Sequence, residues 1–231
     1  MLYEFFTHNY WASYLLVIVT VIFAYSMSGN VKSTFKKFSK ISSRRGILAH
    51  QAARQILDSY GLYDVTVVRV DGALNDHYDI RKKIIALSDE TFFSSSVAAI
   101  GVAAHEAGHA VQHAQGYIPI KIRNAFVPVV EIGSRAWLIA FIAGIFFSIP
   151  FLVTVGIGFF AVMVLFQIMT LPVEFNASKR ALNSIKSNFI LDNNEIVGTK
   201  KVLNAAAMTY VAGLMVSVAQ LLNLIARTNR R

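Results

Sequence analysis

Three long stretches of the chain carry no charged side chain, and they predict helices that span a membrane. They cover residues 5–31, 136–173 and 202–226. An apolar helix of about 20 residues crosses the hydrocarbon core of a bilayer. The first and third stretches are therefore each long enough for one span, and the second is long enough for two.

Pro150 divides the second stretch and indicates a helical hairpin of roughly residues 128–149 and 151–171. A proline inside a helix removes a backbone hydrogen bond and favours a break. The alternative is a single long kinked helix, which would overshoot a core about 30 Å thick. A hairpin would return the residues after 173 to the side from which it started.

Basic residues after the first apolar stretch predict the orientation of the chain. No acidic residue precedes Asp58 in this region, and positive charge collects on the cytoplasmic side of membrane proteins. Residues 32–125 are therefore expected in the cytoplasm and the N-terminus outside. A cleaved signal peptide is the alternative, but the residues before the stretch include Glu4 and no Lys or Arg. The basic residues are Lys32, Lys36, Lys37, Lys40, Arg44, Arg45 and Arg54.

The third apolar stretch conflicts with the same charge rule, because basic residues lie on both of its flanks. Lys200 and Lys201 precede it, and Arg227, Arg230 and Arg231 follow it. Its length favours a span. A position in the membrane interface or inside the protein remains open.

Between the first span and the hairpin, the pattern predicts a small α+β part. Residues 48–60 are typical of an amphipathic helix ended by Gly61, and the runs 65–70 and 83–87 are typical of strands. The second run, with residues 75–79 leading into it, is a candidate edge strand that could pair with a peptide. A plain structural hairpin is the alternative.

Composition supports a membrane protein. The 231 residues are 55% hydrophobic and 15% charged, whereas a soluble domain carries about 25% charge. The net charge of +9, placed beside an apolar segment, favours an anionic bilayer as a partner and gives no reason to expect nucleic acid. The chain has no cysteine, which excludes disulfides, thiolate ligands and a cysteine nucleophile.

Residues 105–109 form an HExxH motif, which is typical of zinc hydrolases. His105 and His109 are four residues apart and share one helix face, so both can bind one metal ion. Glu106 can act as a base towards the attacking water. Serines at 94–96 can cap this helix, which is expected to reach about Gln115. The alternative is a buried helix with two incidental histidines.

A catalytic zinc ion needs a third protein ligand, and Glu174 is the best candidate. His113 lies one more turn along the helix, where three successive turns span too great a length for one ion. His77 would precede the motif on a loop. Glu174 follows the hairpin and would be presented by a helix of residues 174–186. The alternative is a carboxylate placed at a helix start by the helix dipole.

At these residues the chain resembles the YugP-like membrane zinc metallopeptidases, also called neutral zinc metallopeptidases. The resemblance covers nearly the whole chain and is carried by HEAGHAVQHA at 105–114, LPVEFNAS at 171–178, KSTFKKFSK at 32–40 and the segments 76–79 and 202–207. A more distant similarity is to HtpX-like and Ste24-like peptidases, which carry an ExxxD pattern. Ser178 stands where they have aspartate, which puts in doubt a hydrogen bond from this position to a histidine ligand.

The resemblance implies a bacterial plasma-membrane endopeptidase with one zinc ion and a protein or peptide substrate, acting in membrane protein processing or quality control. The predicted fold is a mostly α membrane protein whose transmembrane helices accompany a small α+β zincin-like part, with an HExxH helix and a short β-hairpin. Tyr78, His77 and Tyr210 are candidate oxyanion or substrate contacts. The predicted segments are an N-terminal helix (1–31), a cytoplasmic part (32–125), a hairpin (126–173), a helix with the third ligand (174–201) and an apolar helix with a basic tail (202–231).

Three other classes of protein compete with this prediction. An intramembrane protease would hold HExxH inside a span, but the nearby serines and charges favour the membrane surface. A zinc-binding scaffold without catalysis would not need the base Glu106. A transporter is disfavoured because the three apolar stretches lack the charged groups that ion pathways use.

Overall fold

A computed structural model describes residues 10–72 and 75–228. The start of the first predicted span and the basic residues Arg230 and Arg231 lie outside the described residues. The helices are α1 (Tyr10–Phe38), α2 (Ala49–Ser59), α3 (Asp89–Phe92), α4 (Val97–Ala114), α5 (Ile118–Phe146), α6 (Pro150–Ser187) and α7 (Asn193–Thr228), and the strands are β1 (Thr66–Val70), β2 (His77–Asp79) and β3 (Ile84–Ser88).

The chain divides into two compact units. The apolar unit consists of the described residues up to Ser28, Ile122–Leu171 and the described residues from Thr209 onwards. The sheet unit consists of Gly29–Lys121 and Pro172–Met208, and it contains all three strands.

Four helices are long and apolar enough to cross a membrane, namely α1, α5, α6 and α7. They contain the described parts of the predicted apolar stretches, apart from residues 147–149. Helices α5 and α6 are separate and are joined by a short turn in which Ser148 has a φ of 56°. The predicted hairpin is therefore present, and the alternative of one long kinked helix is wrong.

The apolar unit exposes large apolar side chains, as expected for helices surrounded by lipid. Leu15, Ile22 and Ile139 are each more than half exposed. Inside the unit, a Cβ on Gly156 would lie 2.8 Å from the Trp137 carbonyl oxygen, so α5 and α6 approach closely only because this side chain is absent. The unit thus combines apolar outer faces with close helix packing.

The sheet has the strand order β1-β3-β2, so β3 is its central strand. β1 pairs with β3 in parallel, and β2 pairs with β3 antiparallel through His77 opposite Ala86. The predicted edge strand at 83–87 is therefore wrong. Its residues from Ile85 to Ser88 are all buried, and a run without polar alternation is typical of a strand covered on both faces. β2 is an edge strand instead.

Helix α4, which carries the HExxH motif, lies in the core of the sheet unit. Ser96 caps its start by accepting the backbone N–H of Ala99, as predicted. Its main neighbour is α2, whose buried face includes Ile56 and Leu57. The α6 residues Ala181 and Ile185 pack into the same core. A hydrophobic core therefore fixes α4 in place independently of the polar side chains it carries.

Helix α6 continues through Pro172, so the predicted separate helix starting at Glu174 is wrong. The proline removes a single helix hydrogen bond, and the residues that follow it are held in place by packing: Val173 and Ala177, one turn apart on the same helix face, are both fully buried. Glu174 therefore lies inside a long helix, and the dipole of a helix start gives no reason for its position.

Candidate metal centre

His105, His109 and Glu174 converge in the sheet unit. The Nε2 atom of His105 lies 3.2 Å from Oε2 of Glu174, and the Nε2 atom of His109 lies 3.7 Å from the same oxygen. Candidate ligand atoms of all three residues lie within 4.8 Å of one another. Among the described residues, these three form the cluster that could hold a metal ion.

The donor set fits a catalytic zinc ion. Two imidazole nitrogens and one carboxylate oxygen are typical three-residue ligands of such ions, which keep a fourth position open. A tetrahedral ion with bonds of about 2.0–2.1 Å separates its donors by about 3.3 Å. The two distances to Glu174 Oε2, 3.2 and 3.7 Å, lie close to that value. The imidazole rings of His105 and His109 stand at 84° to each other, with their centroids 4.7 Å apart.

The surroundings of His109 favour positive charge. Burial by itself lowers the pKa of His109, but the hydrogen bond to Glu174 and the negative charge of Glu106 together raise the pKa above its ordinary value. Glu106 is itself only 9% exposed. Two buried carboxylates thus make this region of α4 a favourable place for a cation.

Each histidine of the cluster also makes a hydrogen bond through its other ring nitrogen. Nδ1 of His105 lies 3.1 Å from the Ser178 hydroxyl, and Nδ1 of His109 lies 3.0 Å from Oε1 of Gln112. Such partners fix the ring orientation of metal-binding histidines. The serine at 178 therefore keeps the hydrogen bond that the sequence comparison with ExxxD peptidases had put in doubt.

Gly108 lets the helix that carries both histidines approach the helix that carries Glu174. A Cβ atom at position 108 would lie 2.6 Å from the carbonyl oxygen of Ala177. That distance is far shorter than a van der Waals contact, and the obstacle is backbone, which cannot rotate away. The separation of α4 and α6 at the cluster is therefore set by a contact between main chains.

The other predicted site residues lie outside the ligand cluster. His77 is exposed on β2, and its Nδ1 lies 2.7 Å from the Asn75 carbonyl oxygen. Tyr210 belongs to the apolar unit. Tyr78 also lies on β2, and its hydroxyl is 3.0 Å from Nδ1 of His113.

Tyr78 and His113 form a neutral pair at physiological pH. Burial, followed by the negative charges of Asp64 and Asp79, raises the pKa of Tyr78 to about 12. Burial and the positive charges of Lys83 and Lys121 lower the pKa of His113. A phenol in this state keeps its proton and can donate a hydrogen bond.

Gln112 and Asp76 have structural roles that their sequence positions did not predict. Gln112 follows His109 by three residues on the same helix face, a spacing that could have indicated a partner. The Asp76 carboxylate accepts the backbone N–H of Ser88 at 2.9 Å and the Thr91 hydroxyl at 3.2 Å. It thereby ties the start of β2 to the start of α3, and no local pattern points to this long-range role.

The fold and the cluster agree with what comparison of the sequence shows. Residues 13–229 match the family described as "Putative neutral zinc metallopeptidase", and the chain belongs to this family. It is a membrane protein of the zinc metallopeptidase class.

A relative in Bacillus subtilis (strain 168) carries the name "Putative membrane protease YugP". The two chains are 44% identical over 195 residues, which cover 84% of this chain and 87% of the relative. No solved structure matches the chain significantly.

Proposed function

We propose that the protein is a zinc-dependent endopeptidase with a zincin-like site in its sheet unit. The observation that carries the proposal is the convergence of His105, His109 and Glu174, with Glu106 beside the first histidine. The family and the named relative support a membrane protease. A role in membrane protein processing or quality control follows from this combination.

The chain's own residues divide the work of peptide hydrolysis. His105, His109 and Glu174 would hold the zinc ion, which would supply Lewis acidity towards water and the peptide carbonyl. Glu106 takes a proton from the attacking water as it adds to the carbonyl carbon and passes that proton to the leaving amine. Within the sheet unit, Tyr78 and His77 on β2 are the candidates for a contact with the substrate or the developing oxyanion.

Strand β2 is the proposed binding edge for an extended substrate. It pairs with β3 on one side, and among the described residues no strand pairs with its other side. β2 contacts the HExxH helix. A peptide added to this edge would be held through its backbone, which gives affinity without demanding a particular sequence. An unfolded protein is therefore a suitable first substrate.

The test of the proposed function is metal removal. We expect the detergent-purified chain to cleave an unfolded protein, to lose this activity after treatment with a chelator, and to regain it when zinc is restored. Cleavage is followed by gel electrophoresis and zinc by elemental analysis. Activity that survives complete removal of zinc contradicts the proposal. Stable zinc binding without cleavage of any unfolded substrate would favour the scaffold without catalysis.

We also propose that the chain crosses the membrane several times, with the sheet unit in the cytoplasm. The chain has no cysteine, so a single introduced cysteine is the one thiol that a reagent can label. Its labelling therefore reports on which side of the membrane it lies. In intact cells, a membrane-impermeant thiol reagent is expected to label Phe147→Cys, in the exposed turn between α5 and α6. It should label Ser39→Cys only after lysis. Labelling of Ser39→Cys in intact cells would reverse the proposed orientation.

A further inference from the structure

Gln112 is a fully buried side chain whose polar atoms are all engaged. It exposes none of its surface. Its Oε1 lies 3.0 Å from Nδ1 of His109. Its Nε2 donates to the backbone carbonyl of Val173 at 2.8 Å and to Oδ1 of Asn176 at 3.0 Å. A buried amide with this many partners has one orientation only, because turning it would place like atoms against each other.

The partners of Gln112 fix the direction of every hydrogen bond in this chain of contacts. The Val173 carbonyl can only accept, so Nε2 must face it and Oε1 must face His109. Arg180 can only donate, and its Nε lies 2.7 Å from Oδ1 of Asn176, which confirms that Asn176 also presents an acceptor to Gln112. Since Oε1 accepts and cannot donate, Nδ1 of His109 must carry the proton.

We propose that Gln112 is the positioning residue that sets the tautomer of His109 and aims its Nε2 lone pair at the metal. The inference rests on the proposed zinc site. The neutral imidazole has one N–H and one lone pair, and a metal needs the lone pair. Because Gln112 keeps the proton on Nδ1, it is Nε2, the nitrogen that faces Glu174, that gives up its proton and offers its lone pair when a metal binds.

Ser178 cannot select a tautomer of His105 in the same way. A hydroxyl can donate or accept, so it can pair with Nδ1 in either state. Gln112 and Ser178 occupy equivalent places beside the two histidines, yet only the amide dictates where the proton lies. The two residues therefore form a matched pair in which one selects the tautomer and the other orients the ring alone.

Gln112 also couples the two helices that supply the ligands. It lies on α4 with both histidines, and its Nε2 binds residues of α6 immediately before Glu174 and two positions after it. A shift of either helix would break one of these bonds. The amide therefore holds His109 in register with the third ligand.

The first experiment measures the tautomer directly in the metal-free protein. ¹⁵N NMR of labelled histidines distinguishes the two neutral tautomers, and His109→Gln assigns the signal among the six histidines. At alkaline pH, where imidazoles are neutral, we expect the Nδ1–H form in the wild-type chain and a mixture in Gln112→Met. Gln112→Glu retains an acceptor for Nδ1 and should keep the wild-type tautomer even though it lowers stability.

The second experiment compares zinc dissociation constants by competition with a chelator. Gln112→Met should weaken zinc binding by about 10–100-fold, the range found for residues that orient metal ligands. Ser178→Ala should cause a smaller loss. The inference is overturned if Gln112→Met keeps the Nδ1–H tautomer, if Gln112→Glu loses it, or if Ser178→Ala weakens zinc binding as much as Gln112→Met.

These measurements separate the inference from the proposed function. If the wild-type chain binds zinc but cleaves no peptide, the proposed function fails while the tautomer and affinity comparisons still decide the role of Gln112. If the chain binds no zinc, the metal-free NMR measurement alone decides whether Gln112 selects the tautomer.

Discussion

Replacing Glu106 by glutamine is expected to abolish peptide hydrolysis while leaving zinc bound. Glutamine has nearly the same shape but cannot accept a proton at neutral pH, so the attacking water loses its base. General acid–base catalysis contributes about 10²–10⁴-fold to rates, and kcat should fall by that amount. Zinc should remain because Glu106 is not part of the ligand cluster. Turnover of an unfolded protein and zinc content by elemental analysis give both quantities.

Glu90→Gln is the matched control for this substitution. Glu90 is an exposed glutamate in the first turn of α3, so the same chemical change there should leave activity and zinc content unchanged. Full activity in Glu106→Gln would exclude Glu106 as the base. A loss of zinc in that variant would instead show that Glu106 contributes to metal binding.

Replacing Glu174 by alanine is expected to remove zinc from the purified chain. The substitution deletes one of the three proposed ligands, whose carboxylate faces both histidines at 3.2 and 3.7 Å. Changes in residues that only orient ligands cost about 10–100-fold in affinity, so loss of a ligand should exceed about 100-fold. Activity should disappear with the metal. Competition with a chelator measures the dissociation constant.

Glu195 offers a control that is also a buried glutamate of the sheet unit. Its carboxylate accepts the backbone N–H groups of Arg44 and Asp192, both at 2.8 Å, and thus caps the start of α7. Glu195→Ala should lower stability by about 1 kcal/mol, as the loss of a helix cap does. It should leave the zinc content unchanged. Unchanged zinc in Glu174→Ala would reject Glu174 as a ligand.

The helices and the ligand cluster could be predicted because they depend on local patterns. A charge-free stretch of sufficient length identifies each apolar helix, and four-residue spacing places His105 and His109 on one face. Glu174 could be proposed because few polar residues of its segment suit a metal. The position of Glu174 inside α6 could not be predicted, because the packing that keeps the helix continuous at Pro172 involves residues distant in sequence.

The order of the strands could not be predicted for a similar reason. β2 has only three residues, and its pairing with β3 is defined by contacts rather than by its own sequence. The parallel pairing of β1 with β3 requires the intervening segment to cross over, which no turn signal indicates. The apolar run Ile85–Leu87 nevertheless indicates a central strand, because an edge strand would show polar alternation.

The contact between Gly108 and the Ala177 carbonyl has a consequence for how metal and fold depend on each other. Main-chain packing and a hydrophobic core already set the distance between the two helices that carry the proposed ligands. Metal binding therefore needs to order little of the chain. In small zinc domains, by contrast, the binding energy of the metal is also the folding energy. We therefore expect zinc availability to control the activity of this protein without unfolding it. The metal-free form should stay folded in the membrane and be able to bind zinc again.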